Sequence, residues 1–299
     1  MDETLKYVKN GDNHLHLLTN ESKISVIIPF HYVAESLFCR AVEAVLNQTF
    51  TDFELILVND CCTNDCHRFA EKYAAKDSRI KLIINSEKLG CPKSREMGLS
   101  QASGEYVIMS DADDYMEPHL LAELYSAIIK SGADIAYCDY FRHSEDEMES
   151  VRQGNMTGKI PFIKSIFAKE VWGVIWNKLV KKSVFEKIVF PTYFHYEDEV
   201  QTIQLMHFAE RIEYVPLPLY HYYDHTKSEQ FNNADSFVSF YHNYQVIIDF
   251  LKSHYKDIKM FNPELRRHIN AYKYLCCFRC DDFHFTRELL TGLYPQSNR

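Results

Sequence analysis

Tyr106-Val-Ile-Met-Ser-Asp-Ala-Asp-Asp114 decides how the chain is read. Its first four residues are a brief apolar run punctuated by Gly104, the pattern of a strand buried on both faces of a parallel sheet. The run breaks off into three carboxylates within four residues. In an extended chain, side chains two apart point the same way, so Asp111 and Asp113 are expected to face one spot. Two such anions repel unless a cation joins them. A hard divalent ion, Mn²⁺ or Mg²⁺, does this with oxygen ligands and also holds the phosphates of a bound nucleotide. The carboxyl ends of strands in an open α/β sheet are where such folds bind ligands. The alternative use is capping of the helix that starts near Pro118, but one Asp suffices for a cap.

Outward from this stretch the periodicity alternates. Strands are expected at Ile24 to Pro29, Phe53 to Val58 and Ile80 to Ile84, ahead of Tyr106 to Met109. Between them, Ala34 to Asn47, Thr63 to Lys76 and Lys93 to Gln101 carry helical patterns. Strand and helix in this order predict an α/β fold, stacked βαβ units forming a mostly parallel sheet with helices on both faces. After the acidic cluster, Pro118 to Lys130 is expected as a helix ended by Gly132, and Asp134 to Asp139 as a strand. The polar, acidic stretch Arg142 to Lys159 predicts a mobile loop. A helix follows from about Val200 to Phe208, then short strands over Tyr214 to Tyr222 around Pro216 and Pro218, with Tyr220 to Ser228 read as a polar aromatic loop.

Residues 1–22 are polar and read as an N-terminal extension. Residues 231–299 change character: Phe237, Phe240, Tyr241, Tyr244, Ile247, Ile248 and Leu251 recur at helical steps, with a second helix expected around Leu265 to Phe278. This C-terminal helical appendage carries nine Lys and Arg against seven Asp and Glu. Its aromatic stripe packs on the main domain in the simplest reading; an anionic membrane surface and a homodimer are the other candidates.

The 299 residues suffice for one large α/β domain with an appendage, and 46% hydrophobic with 25% charged residues is an ordinary globular composition. A net charge of −9 argues against a general nucleic-acid binder. The opening Met1-Asp2-Glu3 lacks the basic and apolar pattern of a secretion signal, so a cytoplasmic protein with reduced thiols is expected, at most peripheral to the inner face of the membrane. The cluster Cys61, Cys62, Cys66 and the lone pair Cys277, Cys280 lack zinc-site spacing and read as buried thiols.

The ordered motifs Ile24-Ser-Val-Ile-Ile-Pro29, Leu46-Asn-Gln-Thr-Phe50, Leu57-Val-Asn-Asp60, Gly104-Glu-Tyr106, Asp111-Ala-Asp-Asp114, Trp176-Asn-Lys-Leu179 and Glu197-Asp198 resemble the family 2 inverting glycosyltransferases of the GT-A fold. The likeness covers roughly residues 23 to 228, so a GT-A domain over 23–230 is expected. It implies that Pro29, Phe30 and His31 line the nucleotide base pocket, with Asp60 holding the uracil edge by an unpaired carboxylate. Arg95 would stand near the donor phosphates, a salt bridge with Glu96 or Glu105 being its other use. Asp111 would contact the ribose and Asp113 ligate the metal. His225 would complete the metal shell, simple solvent exposure being the alternative for a lone loop histidine, and Lys227 would neutralise phosphate.

Asp198 matches the family's catalytic base, and inverting transfer needs one carboxylate to take the acceptor hydroxyl's proton. Capping of its own helix is the alternative. Trp172 or Trp176 could offer a flat face to an acceptor sugar, with Trp176 expected in the core. Three departures bear on the nucleotide loop: His31-Tyr32 replaces the family's Tyr-Asn, Cys61-Cys62 its Gly-Ser, and Glu96 its Asn. Cys61 stands where a glycine would be free to adopt positive φ.

The resemblance therefore implies a metal-dependent enzyme moving a sugar from a nucleotide-sugar, with a UDP-sugar expected, to a hydroxyl of a glycan or glycolipid in bacterial surface polysaccharide synthesis. The rivals are a catalytically silent nucleotide-sugar-binding or scaffold protein of the same fold, and a phosphotransferase of the haloacid dehalogenase type. The latter wants its Asp-x-Asp after the first strand, whereas here it follows the fourth.

Overall fold

The computed structural model describes residues 7–9, 15–17 and 23–268, apart from 63, 145–146, 157, 194–195, 225–233 and 262. Within the extension, β1 (Tyr7–Lys9) and β2 (Leu15–Leu17) pair as an antiparallel hairpin. The main body then alternates as the periodicity predicts: β3 (Ile24–Phe30), α1 (Glu35–Leu46), β4 (Phe53–Asn59), α2 (Cys66–Lys76), β5 (Ile80–Ile84), α3 (Cys91–Ser100) and β6 (Tyr106–Met109). In this half β5, β4, β3 and β6 lie side by side, all parallel.

Both faces of these strands are covered. Ile24, Val26 and Ile28 of β3 enter one core with Phe38, Val42 and Val45 of α1, while Ile27 enters the other with Leu99 of α3. That is the period-two alternation of a strand sandwiched between helices. Val107, Ile108 and Met109 are 0% exposed, and each such burial contributes roughly 1.5–3 kcal/mol. Gly98 lets α3 lie close on the sheet, since a Cβ there would come within 2.5 Å of Ile27 Cγ2. The helix that carries Arg95 is thereby pressed against β3.

Beyond β6 the sheet becomes mixed. It continues through β7 (Tyr115–Met116), α4 (Leu120–Ser131), β8 (Ile135–His143), β9 (Met148–Val151), α5 (Lys159–Phe167), β10 (Lys178–Lys181), α6 (Lys182–Phe185), α7 (Glu197–Phe208) and β11 (Ile212–Tyr223). β10 inserts antiparallel between β6 and β8, β11 runs parallel to β8, and β7 caps the edge antiparallel to β11. α4 ends as expected at Gly132, left-handed at φ 69.

Two expectations are corrected. The polar stretch after Arg142 is not a loop throughout: β8 runs on to His143 and β9 turns back to pair with it antiparallel. The Gln153 amide then donates to Asp139 at 2.6 Å, and Tyr137 donates to the Gly154 carbonyl at 2.7 Å. An edge hairpin can be polar because its outward side chains face water, so composition concealed it. Nor does a loop begin at Tyr220. β11 is one strand to Tyr223, with register shifts at Val215, Pro218 and Tyr220 absorbing the prolines.

The core also takes in the helix that follows residue 233. α8 (Ala234–His254) places Phe240, Tyr244, Ile247, Ile248 and Leu251 in the same apolar cluster as Val200, Ile203 and Leu205 of α7. Among the described residues no helix is long and apolar enough to cross a membrane. Residues 263–268 are helical, whereas the rest of the expected helix to Phe278 and the Cys277, Cys280 pair lie outside the described residues.

Candidate active site

The chain leaves β6 through Ser110 and does not stay extended. Residues 112–113 form a turn in which the Asp114 amide approaches the Asp111 carbonyl at 3.4 Å. Burial still alternates: Asp111 and Asp113 are half-buried, Ala112 and Asp114 buried. A turn, and not the pleat expected from the sequence, thus exposes Asp111 and Asp113 beside a buried neighbour. Asp114 Oδ1 accepts the Tyr223 amide at 2.9 Å, tying this turn to the end of β11. The buried Tyr220 hydroxyl accepts the Asp111 amide at 3.1 Å and lies 3.2 Å from Ser110 Oγ. Tyr220 is a site residue that the sequence gives no role; the period-two aromatics Tyr220 and Tyr222, in the expected short strands, are the signal that could have found it.

Arg95, only 2% exposed, joins this turn to a distant helix. One Nη donates to Asp111 Oδ1 at 2.7 Å and the other to Asp198 Oδ1 at 2.6 Å, with Glu197 Oε1 at 3.8 Å. Glu197 and Asp198 open α7, where carboxylates meet the positive end of the helix dipole, and Tyr196 before them is left-handed at φ 62. Neither Glu96 nor Glu105 is the partner of Arg95; Glu96 pairs with Lys93 at 2.5 Å and Glu105 with Lys23 at 3.9 Å.

The cluster is crowded with negative charge. Burial, with Asp198 and Asp113 nearby, pushes the Asp111 carboxyl up to about 6 against the pull of Arg95. Burial and the adjacent Asp198 push Glu197 up to about 8. Burial works against the Arg95 charge, yet Asp198, Asp111 and Glu197 outweigh it and hold the guanidinium firmly protonated.

On the nucleotide side, Pro29 and Phe30 end β3 as buried residues, Phe30 packing its ring 4.7 Å from Phe38. His31, half-buried, brings Nδ1 within 2.6 Å of the Asp60 carbonyl oxygen. Contrary to the expectation of an unpaired carboxylate, Asp60 is paired. Oδ1 accepts from Asn85 at 3.0 Å and the Leu89 amide at 2.7 Å, and Oδ2 accepts the Gly90 amide at 2.8 Å. Burial raises its proton affinity, but these donors prevail and hold it below the ordinary carboxylate range. Asp60 therefore anchors the turn that leads into α3. Cys61 after it adopts φ 54, the left-handed conformation that glycine would take freely.

Lys178, in the Trp176-Asn-Lys-Leu179 stretch, is fully buried and donates to the Val174 carbonyl and to Asn177 Oδ1, each at 2.6 Å. Burial pulls its amine down to about 7, partly opposed by Cys138 and Asp198. The motif is legible in the sequence, whereas the burial of its lysine is set only by the fold. Trp176 is core as expected, stacked on Tyr220 at 4.4 Å, and Trp172 is half-buried with Tyr222 at 5.6 Å. His225 and Lys227 lie outside the described residues.

Among the described residues no three His, Cys, Asp or Glu side chains form a metal cage. An ion held by one or two carboxylates and completed by a donor's phosphates needs none. The oxygen chemistry of the half-buried Asp113, beside Asp111, fits such an ion.

Parallel strands ending in an acidic turn, followed by an antiparallel insertion and a helix that opens on carboxylates, define a GT-A type glycosyltransferase architecture. The chain belongs to glycosyl transferase family 2, whose family model matches residues 25–211. It is similar to the putative glycosyltransferase EpsH of Bacillus subtilis (strain 168), 31% identical over 207 residues, or 66% of this chain. The chain spans 60% of the length of that relative. In fold it is similar to S. aureus TarS 1–349 solved with UDP-GlcNAc: TM-score 0.74, 20% identity, covering 91% of this chain and 79% of that one. The mannosyltransferase PcManGT from Pyrobaculum calidifontis, solved with GDP-Man and Mn²⁺, is similar at TM-score 0.61 and 13% identity, covering 93% and 77%.

Proposed function

We propose that this protein transfers a sugar with inversion from a UDP-sugar to a hydroxyl of a glycan or glycolipid acceptor, in bacterial surface polysaccharide synthesis. One observation carries the reading: Arg95 holds Asp111, at the end of β6, and Asp198, at the start of α7, on a single buried guanidinium. This sets a donor-side carboxylate and a candidate base at the two ends of one rigid bridge. The UDP-GlcNAc complex of the TarS neighbour supports the choice of nucleotide.

In this mechanism Asp198 receives the proton of the acceptor hydroxyl as that oxygen attacks the anomeric carbon from the face opposite the leaving diphosphate. Pro29, Phe30 and His31 border the base, with Asp60 shaping the pocket through the 85–90 turn. Asp111 meets the ribose, and Asp113, with His225 beyond the described residues, would hold Mn²⁺ or Mg²⁺. When bound, that ion supplies Lewis-acid stabilisation of the leaving diphosphate. Arg95 orients both carboxylates; with both of its Nη atoms engaged on carboxylates, direct phosphate binding becomes its secondary role. Buried Lys178 adds positive charge near Asp198. We assign 23–230 to catalysis and 231–299 to its support.

A second reading, a silent nucleotide-sugar-binding or scaffold protein, is favoured by the same ion pair if Asp198 serves only to neutralise Arg95. Calorimetric titration of UDP with Mn²⁺ and then with chelator, followed by a screen of UDP-sugars for turnover, tests the proposal. Mn²⁺-dependent binding with turnover is expected; binding without any donor turnover would favour the silent reading, and no binding would overturn the UDP assignment.

A further inference from the structure

The turn that presents Asp113 is gripped from outside the catalytic cluster. Arg40 projects from α1, with its guanidinium 4.7 Å from the Tyr115 ring centroid and 4.2 Å from that of Tyr223. One Nη donates to the Tyr223 hydroxyl at 2.8 Å, and the other donates to the Asp113 carbonyl oxygen at 2.9 Å. Tyr115 and Tyr223 belong to the paired strands β7 and β11, and the Tyr223 amide already holds Asp114. The two rings are themselves braced. His221 stacks on Tyr115 at 4.0 Å and His143 on Tyr223 at 4.3 Å. His143 Nε2 lies 2.8 Å from His221 Nδ1, and His221 Nε2 lies 2.6 Å from Glu117 Oε1.

We propose that Arg40 is a positioning residue for the metal and diphosphate site. A peptide carbonyl held by a charged donor fixes the backbone of its residue, leaving the Asp113 carboxylate only its own two side-chain torsions to search. A flat guanidinium can sit against two aromatic faces while its fork reaches two acceptors; an ammonium cannot do both. The aromatic brace prevents the guanidinium from following solvent, so the Asp113 turn is set before any ligand arrives. This inference rests on Asp113 being the metal ligand.

The test is titration of UDP into the full-length wild type and Arg40→Lys, each with Mn²⁺ and with chelator, alongside thermal melts. In the wild type Mn²⁺ raises UDP affinity. Arg40→Lys is expected to lose about tenfold of that Mn²⁺-dependent gain, the scale of one charge-assisted hydrogen bond, with chelator affinity unchanged. Arg40→Gln, smaller and neutral, should show the same split and serves if the lysine variant melts early. A wild-type Mn²⁺ gain retained in both variants overturns the inference, as does an equal loss with and without Mn²⁺, which marks a merely structural role. A wild type that binds UDP with no Mn²⁺ gain overturns the Asp113 reading itself.

Discussion

Arg95 and Asp198 meet at 2.6 Å although 103 residues of chain separate them. The pair is buried on the arginine side and a fifth exposed on the carboxylate side, so the carboxylate keeps an edge open to solvent. Removing one member of such a pair leaves an uncompensated charge, which costs more than the pair itself contributes. Arg95→Met is therefore expected to lower stability by about 3 kcal/mol and to abolish turnover. Urea unfolding checks the first and donor consumption the second; a stable variant with wild-type turnover would remove Arg95 from the site.

Asp198→Asn keeps the shape and a hydrogen-bonding oxygen for Arg95 but cannot accept a proton. Transfer should fall by at least a hundredfold, the lower range for a lost general base, with UDP affinity in Mn²⁺ near wild type. Parallel calorimetry and turnover assays decide it; loss of UDP binding would assign Asp198 to the donor site instead.

Lys178 gives a pH signature. Its folded value of about 7 lies below the ordinary lysine value of 10.5, so between these limits the unfolded chain binds more protons. Stability from this group is lowest below pH 7 and rises as the pH climbs towards 10, by about 1.4 kcal/mol per unit. Lys178→Met should be the more stable protein at pH 7 and should lack that rise. Denaturation midpoints across pH 6–10 measure it, and identical slopes in the two proteins would contradict it.

Glu199 behaves in the opposite sense. Burial would raise its carboxyl, but Lys169, His268 and Tyr244 outweigh burial and hold it at about 2. Its contribution is complete above the ordinary value of 4.5 and is lost as pH falls through about 2. Because Tyr244 lies on α8, Glu199→Gln should loosen the C-terminal helix from α7 and cost roughly 3 kcal/mol at pH 7. It should also flatten the acid limb of stability. Acid titration followed by circular dichroism reads both effects.

Cys61 sits at φ 54, where a side chain is strained and glycine is not. Cys61→Gly and Cys61→Ala both lose the thiol contact to the Asn85 carbonyl at 3.4 Å, so comparing them isolates the backbone. The glycine variant should be the more stable of the two by about 1 kcal/mol. Equal urea midpoints would show that the loop relaxes.

Several features were legible from the chain alone because they are local. Short apolar runs bounded by turn residues placed β3, β4, β5 and β6, three- and four-residue steps placed α1 and the stripe of α8, and Gly132 ended α4 where a left-handed residue was needed. The place of the acidic cluster after Met109 was readable for the same reason, since an apolar strand that ends in carboxylates must present them at a sheet edge or in a site, whereas the turn that its backbone makes was not. What local pattern could not carry was partnership between distant segments. Nothing near Arg95 says that its acceptors come from β6 and α7, and nothing near Asp60 says that the amides of Leu89 and Gly90 satisfy its carboxylate. Arg40 and Tyr220 went unnoticed because each acts on the acidic turn from a segment remote in sequence. Those contacts exist only once the sheet has closed, when burial makes an unpaired charge or donor costly and the fold selects the arrangement in which each finds its partner.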